Sequence, residues 1–182
     1  MGDGHRRGPS ADAAAFVAAE KPDNQSMIDI LHDQPWQGLP DDGALRRAVA
    51  AAAEAACGRP IDGDGLDLCL RLADDQAVAA LNRRWRGVDQ ATDVLAFPQQ
   101  EGAIDPAAPL GDIIVAVPFL RREAARLGLP PADHLIHLVV HATLHLFGHD
   151  HAEAEETRRM RLLENHIMQR LALHTPWPEA AQ

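Results

Sequence analysis

The chain is poor in cysteine, almost without lysine, and free of long apolar runs, and each shortage removes a class of protein. Its two cysteines, Cys57 and Cys69, form no C-x-x-C pair and no disulfide framework. Free thiols in a reducing compartment are the expectation. No apolar stretch approaches the roughly 20 residues needed to span a bilayer, and the most apolar one, Leu135 to Phe147, is interrupted by His137, His141 and His145. Arg6 and Arg7 near the N-terminus are not followed by an apolar segment, so no secretory signal is read there. Arg6 also stands where a myristoylation motif needs Ser or Thr. A cytoplasmic protein without a membrane association is expected.

Positive charge is the other scarce commodity. The net charge is −10 and the pI about 5.3, which argues against a protein that coats nucleic acid through its overall field. A local basic groove stays compatible with that balance. Of the 17 basic residues only Lys21 is lysine. The arginines gather in three groups: Arg83, Arg84 and Arg86; Arg121, Arg122 and Arg126; Arg158, Arg159 and Arg161. Taken alone, each group reads as an ordinary solvated helix face.

What is present is enough for one compact domain. The 182 residues are 46% hydrophobic, which excludes a wholly disordered chain. Residues 1–26, rich in Gly, Ala, Asp and Pro without a sustained period, are expected to be a disordered extension. Residues 27–174 are expected to fold as one unit, with 175–182 as a C-terminal tail. Within that unit Met27–Ile30 reads as a short strand. Asp41 or Asp42 caps a helix that runs through the alanine-rich stretch to Cys57 and stops at Gly58. Leu66, Leu68, Leu70 and Leu72 alternate with polar or small residues, the period of a half-buried strand. Asp74 caps a helix ending near Gly87, Val94 to Phe97 reads as a strand, and Ile113 to Val117 as a central one. Pro118 suits the first turn of a helix ending near Gly128. A long helix from about Ala132 to Phe147 follows, then a last one from about Ala152 to Leu173. The fold class expected is α+β, a small mixed β-sheet with packed helices.

The segment that carries chemistry is His141-Ala142-Thr143-Leu144-His145-Leu146-Phe147-Gly148-His149-Asp150-His151. His141 and His145 lie one helical turn apart and project from one face, where two ring nitrogens can share a metal. Gly148 stands where a helix ends in the left-handed conformation that glycine adopts without strain, so the chain can turn and bring His151 back as a third ligand. Three protein ligands leave a fourth position open, the catalytic rather than the structural arrangement of zinc. His137 with His141 is a rival pair at the same spacing, and His134 shares the stripe. The helical pair, the glycine turn and the third histidine together favour His141, His145 and His151, with His134 and His137 as packing residues or as partners that orient a ligand. His149 is expected at the mouth of the site, and Asp150 is expected to orient a neighbouring imidazole.

The spacing H-x-x-x-H-x-x-G-x-x-H is shared with the metzincin proteases, a zincin-like site on a helix ending in a glycine turn. Those enzymes place Glu after the first histidine as general base; here Ala142 stands there, which argues against peptide hydrolysis. The segment instead resembles the YbeY family of rRNA maturation factors and endoribonucleases, whose motif reads H-G-x-L-H-L-x-G-Y-D-H. It matches at His141, Leu144, His145, Leu146, Gly148, Asp150 and His151 and departs at Ala142 and His149. Leu81 to Pro98 is similar to a second block of that family, L-N-x-x-[YFW]-R-x-x-D-x-P-T-D-V-L-S-F-P, with Ala91 for Pro and Ala96 for Ser, and Gly111-Asp112-Ile113 resembles its G-D-I strand start. The resemblance spans roughly Met27 to Leu173.

It implies an α+β fold, one Zn2+ per chain on the three histidines, and endonucleolytic cleavage of single-stranded RNA. It also implies a part in maturation of the small-subunit rRNA 3′ end and in ribosome quality control, with the small ribosomal subunit as partner. The family's functionally important arginine falls on Arg86. A fixed guanidinium can neutralise charge developing on phosphate oxygens. From the residues alone, a salt bridge from Arg86 to Asp89 or Asp93 is an equal reading. Arg83, Arg84 and Arg86, with Arg121 and Arg122, are expected to line one groove, and Thr92 and Asp93 to fix the loop beside it. Two other functions compete: a ribosome-assembly factor whose zinc is structural, and a metalloprotease-like hydrolase.

Overall fold

The computed structural model describes residues 28–61 and 65–177, and the extension expected over 1–26 lies outside them. Among the described residues four strands and five helices follow one another as β1 (Ile28–His32), α1 (Asp42–Cys57), β2 (Leu68–Ala73), α2 (Asp75–Arg86), β3 (Val94–Pro98), β4 (Gly111–Ala116), α3 (Val117–Leu127), α4 (Pro131–Leu146) and α5 (Ala154–Arg170). The strands form one mixed sheet in the order β1-β2-β4-β3. β1, β2 and β4 are parallel, with Leu70 opposite both Ile30 and Ile113; β3 runs antiparallel to β4, with Leu95 opposite Ile114. The α+β class expected from the sequence is the one observed.

Local signals explain where the elements begin and end. Asp41 caps α1 by accepting the Ala44 N–H at 2.7 Å, and Asp74 caps α2 by accepting that of Ala77 at 2.8 Å. Val117, expected at the end of a strand, instead opens α3, because Pro118 in the first turn favours the helix. The last helix is shorter than expected, Ala154–Arg170. The glycine opening β4 is required by close approach: a Cβ on Gly111 would lie 2.2 Å from the Phe97 carbonyl oxygen, and its φ is +135°. That is the physical content of the Gly-Asp-Ile strand start.

The alternation of β2 separates two cores rather than a core from solvent. Leu68, Leu70 and Leu72 join Ile113, Val115 and the buried faces of α1, α4 and α5. Cys69 and Ala73 join Ile114, Ala116, Leu95, Phe97 and the α2 residues Val78 and Leu81 on the opposite face. The expectation of a half-buried strand is thus corrected: β2 is central, and both faces are covered. β4 is buried at all six positions, as a central apolar strand should be.

α4 is the hub. It packs against α1, α3, α5 and β3, and Leu135, Val139, Val140, Leu144 and Leu146 are fully buried. Each such side chain contributes about 1.5–3 kcal/mol by burial, so this helix is a rigid platform. Among the described residues no strand lies beyond β3. At that edge α4, on one face of the sheet, and the end of α2, on the other, border the same space.

Candidate metal centre

That space is a cavity of about 1810 Å³ at the β3 edge, walled by α4, the end of α2, the Gly148–His151 turn and the segment His174–Trp177. His134, His137, His141 and His145 form one stripe along α4 and all reach it.

The three histidines singled out by spacing converge. One ring nitrogen from each of His141, His145 and His151 lies within 4.8 Å of the others. The Nε2 atoms of His141 and His145 are 3.1 Å apart. Two nitrogens bound to one tetrahedral zinc at 2.0–2.1 Å would be separated by about 3.3 Å, so the helical pair already has the spacing of neighbouring ligands. His151 is brought round by the turn. Phe147 ends the helix, its N–H reaching the Thr143 and Leu144 carbonyls, and the His149 N–H returns to Leu144 at 3.1 Å. Gly148 adopts φ +81° between them. A Cβ there would meet nothing within 4 Å, so the need for glycine is one of backbone handedness, not of space. Asp150 does not orient an imidazole directly. Its Oδ1 accepts the His151 backbone N–H at 2.7 Å and stays 4.0 Å from the His151 ring. The Thr157 hydroxyl donates to the His151 carbonyl at 3.1 Å, tying the turn to α5. His149 is half-buried at the cavity wall, and burial lowers its pKa.

The decisive neighbour is one that spacing did not reveal. Glu164 of α5 is 1% exposed and places Oε1 2.6 Å from His141 Nδ1. Burial opposes its ionisation, but the hydrogen bond to His141 and the proximity of the His137 and His141 rings prevail, and the carboxyl is held down to about 2. An ionised carboxylate can only accept, so His141 Nδ1 carries the proton and Nε2 turns a lone pair to the site. Burial first, then the neighbouring rings of His141 and His151, push His145 down to about 4, so its ring is neutral at pH 7. A visible signal for Glu164 did exist: it sits with Met160, Ile167 and Met168 on the buried stripe of α5, where a carboxylate needs a partner. Its Oε1 also lies 3.5 Å from His137 Nε2. His134, 5% exposed, has both ring nitrogens buried without a hydrogen-bond partner among the described residues, and burial lowers its pKa.

Arg86 is the last residue of α2, exposed, and lines the same cavity as the histidines. Among the described residues it has no ion pair with Asp89 or Asp93; Asp89 lies 4.0 Å from Arg83 instead. The loop after it is fixed by the residues of the second motif block. Asn82 Nδ2 donates to the Gln90 carbonyl at 2.8 Å; Asp93 Oδ1 accepts the Thr92 hydroxyl at 2.9 Å and the Val94 N–H at 2.8 Å. The broader arginine groove does not form. Arg121 donates to the Gln37 carbonyl, Arg122 pairs with Asp75 at 2.6 Å, and Arg84 stacks on Trp85, and none of these lines the cavity. Arg126 does, but it is paired with Glu123.

Comparison with known proteins matches this chain to one family. The sequence profile described as Endoribonuclease YbeY covers residues 41–172. A protein named Endoribonuclease YbeY from Rhizobium meliloti is 46% identical over 137 residues, 72% of this chain and 81% of its own. Its namesake from Bradyrhizobium diazoefficiens is 39% identical over 181 residues, 93% of this chain and 96% of its own. Among solved structures, a Thermotoga maritima protein studied in solution shares the fold, with a TM-score of 0.51 at 22% identity, covering 86% of this chain and 96% of that one. Two motif blocks that meet at one cavity and a profile match across most of the chain lead to the same assignment: this chain belongs to the endoribonuclease YbeY family.

Proposed function

We propose that this chain is a metal-dependent, single-strand-specific endoribonuclease acting on rRNA in the cytoplasm, at the 3′ end of the small-subunit rRNA and in ribosome quality control. His141, His145 and His151 hold one zinc, and Arg86 binds the phosphate. The observation that carries this reading is the placement of an unpaired guanidinium and three converging imidazoles on the walls of one cavity. An all-imidazole donor set suits zinc among other late first-row metals, and the carboxylate behind His141 is the usual companion of such a ligand. Bound there, zinc would supply Lewis acidity and lower the pKa of a water to about 7.

The chain's own residues do the rest. Arg86, projecting from the end of a capped helix, can hold two phosphate oxygens and stabilise the charge that develops on them. Glu164 keeps His141 in one tautomer. At about 1810 Å³ the cavity exceeds the roughly 300–1,000 Å³ typical of small-molecule sites, in keeping with a polymer. Among the described residues that line it, Arg86 is the one arginine without an ion pair, in a chain of net charge −10, which favours a strand bound locally over a duplex gripped along its length. A peptidase reading lacks its base: Ala142 is 1% exposed in the body of α4, and Glu164 is engaged with His141.

The test is metal content together with cleavage of single-stranded rRNA by wild type, His145→Ala and Arg86→Glu. Wild type carries one zinc and cuts; His145→Ala loses both; Arg86→Glu keeps metal and loses cutting. Nuclease-free wild type that binds zinc but never cuts, alone or with ribosomes, would replace this reading with that of an assembly factor.

A further inference from the structure

The segment after α5 returns across the outer side of Glu164, and Trp177 is fixed there from three directions. Its backbone pairs with one side chain both ways: the Trp177 N–H donates to Asn165 Oδ1 at 3.0 Å, and Asn165 Nδ2 donates to the Trp177 carbonyl at 2.6 Å. Asn165 is 4% exposed, so this pairing is shielded from water. The Arg161 guanidinium lies 4.4 Å from the centre of the indole, and the His137 ring meets it edge-on with centroids 6.0 Å apart. Held in this way, the indole has one polar atom to place, and its Nε1–H donates to Glu164 Oε2.

The two oxygens of Glu164 therefore have divided duties. Oε1 faces His141 Nδ1 at 2.6 Å and His137 Nε2 at 3.5 Å; Oε2 is taken by the indole. A carboxylate buried to this degree must have its oxygens satisfied. Without a donor on Oε2, rotation about the carboxylate bond would let both oxygens compete for the two histidines, and His141 would lose its single orientation. We propose that Trp177 is a positioning residue for the metal centre: its indole N–H fixes the carboxylate that in turn sets the tautomer and aim of His141. The inference rests on the metal-binding reading above and extends it to a residue well outside the histidine motif.

The alternative role for a tryptophan in this segment is to plug the domain with its ring. Phenylalanine keeps most of the ring and its place between Arg161 and His137 but has no N–H, so Trp177→Phe separates the two roles. The full chain is stripped of metal and titrated with Co2+, following the visible absorption of the ligand field and the affinity against a chelator. Trp177→Phe should bind Co2+ about 10–100-fold more weakly, the range for loss of an orienting partner. Its absorption envelope should be altered, and the melting temperature of the metal-free chain close to wild type. Glu164→Gln should weaken binding at least as much, and the double variant no further than Glu164→Gln alone, because the tryptophan acts through the carboxylate. Wild-type affinity in Trp177→Phe, or losses that add in the double variant, would overturn the proposal. So would a metal-free Trp177→Phe chain whose melting temperature collapses, which would make the residue a structural plug. Failure of the wild-type chain itself to bind Co2+ would instead overturn the metal-binding reading, and this one with it.

Discussion

The two walls of the cavity are built on opposite principles. On the α4–α5 side, His141, Glu164 and Trp177 form a chain of hydrogen bonds behind the site, and His141 stands on a largely buried helix. On the α2–β3 side, Arg86 stands exposed at a helix end, and only the loop after it is pinned, by Asn82 and Asp93. A metal is held by geometry, which demands orientation to a few tenths of an ångström; a phosphate is held by charge, which tolerates a long and solvated side chain. The contrast predicts that damage to the first wall is read as lost metal and damage to the second as lost catalysis with metal retained.

The largest effect should come from the first wall. His145→Ala removes one of the two imidazoles whose Nε2 atoms lie 3.1 Å apart, and metal content by atomic emission and RNA cleavage should both fall to background. Arg86→Glu comes next. It should leave metal content at wild-type level and lower the cleavage rate by about 10²–10³-fold, the loss seen when one donor to a developing oxyanion is removed. Single-turnover kinetics would check it, and loss of zinc in that variant would break the division of labour between the walls. Asn82→Ala sharpens the comparison further. It deletes the hydrogen bond to Gln90 and should cost about 1 kcal/mol in denaturant unfolding, with a smaller cleavage defect and unchanged metal.

The smallest effect is a pH dependence of the metal-free chain. His145 is pushed from 6.5 down to about 4 in the folded state, so the unfolded chain takes up its proton first as pH falls. That disfavours folding progressively from about 6.5 to 4. Glu164, moved from 4.5 down to about 2, contributes stability that is present above 4.5 and lost as pH falls towards 2. The melting temperature of metal-free protein should therefore decline from neutral pH downward, and His145→Ala should flatten the upper part of that decline, as differential scanning calorimetry would show.

The same contrast explains what could be read in advance. α4 and its turn were legible because a ligand pair at one helical turn, a glycine and a third histidine leave a dense local record between His141 and His151. The caps Asp41 and Asp74 and the strand at Ile113 were legible for the same reason: each signal sits beside the element it governs. Trp177 was not, and Glu164 only as a carboxylate on an apolar stripe, since their roles depend on α5 and the returning segment packing back on α4, which no local spacing encodes. The tertiary placement of arginines was equally hidden. Arg121 and Arg122 look as available as Arg86 in sequence, yet their partners, Gln37 and Asp75, come from far along the chain. The double coverage of β2 could not be seen from its leucines, because Cys69 between them is small enough to read as either face and Arg71 reads as a solvent-facing position.

The order in which the chain is made gives the α4–α5 wall a further meaning. Every group in it, from His141 to Trp177, comes from the last part of the sequence, whereas Arg86 and the strands beneath it come earlier. At about 5–20 residues per second, the stretch from His141 to Trp177 takes roughly 2–7 s to synthesise, and the metal wall cannot close before it has emerged. Arg86, the proposed phosphate-binding residue, is thus translated before the proposed metal ligands, and a nascent chain of this design cannot cut until the stretch from His141 to Trp177 has followed.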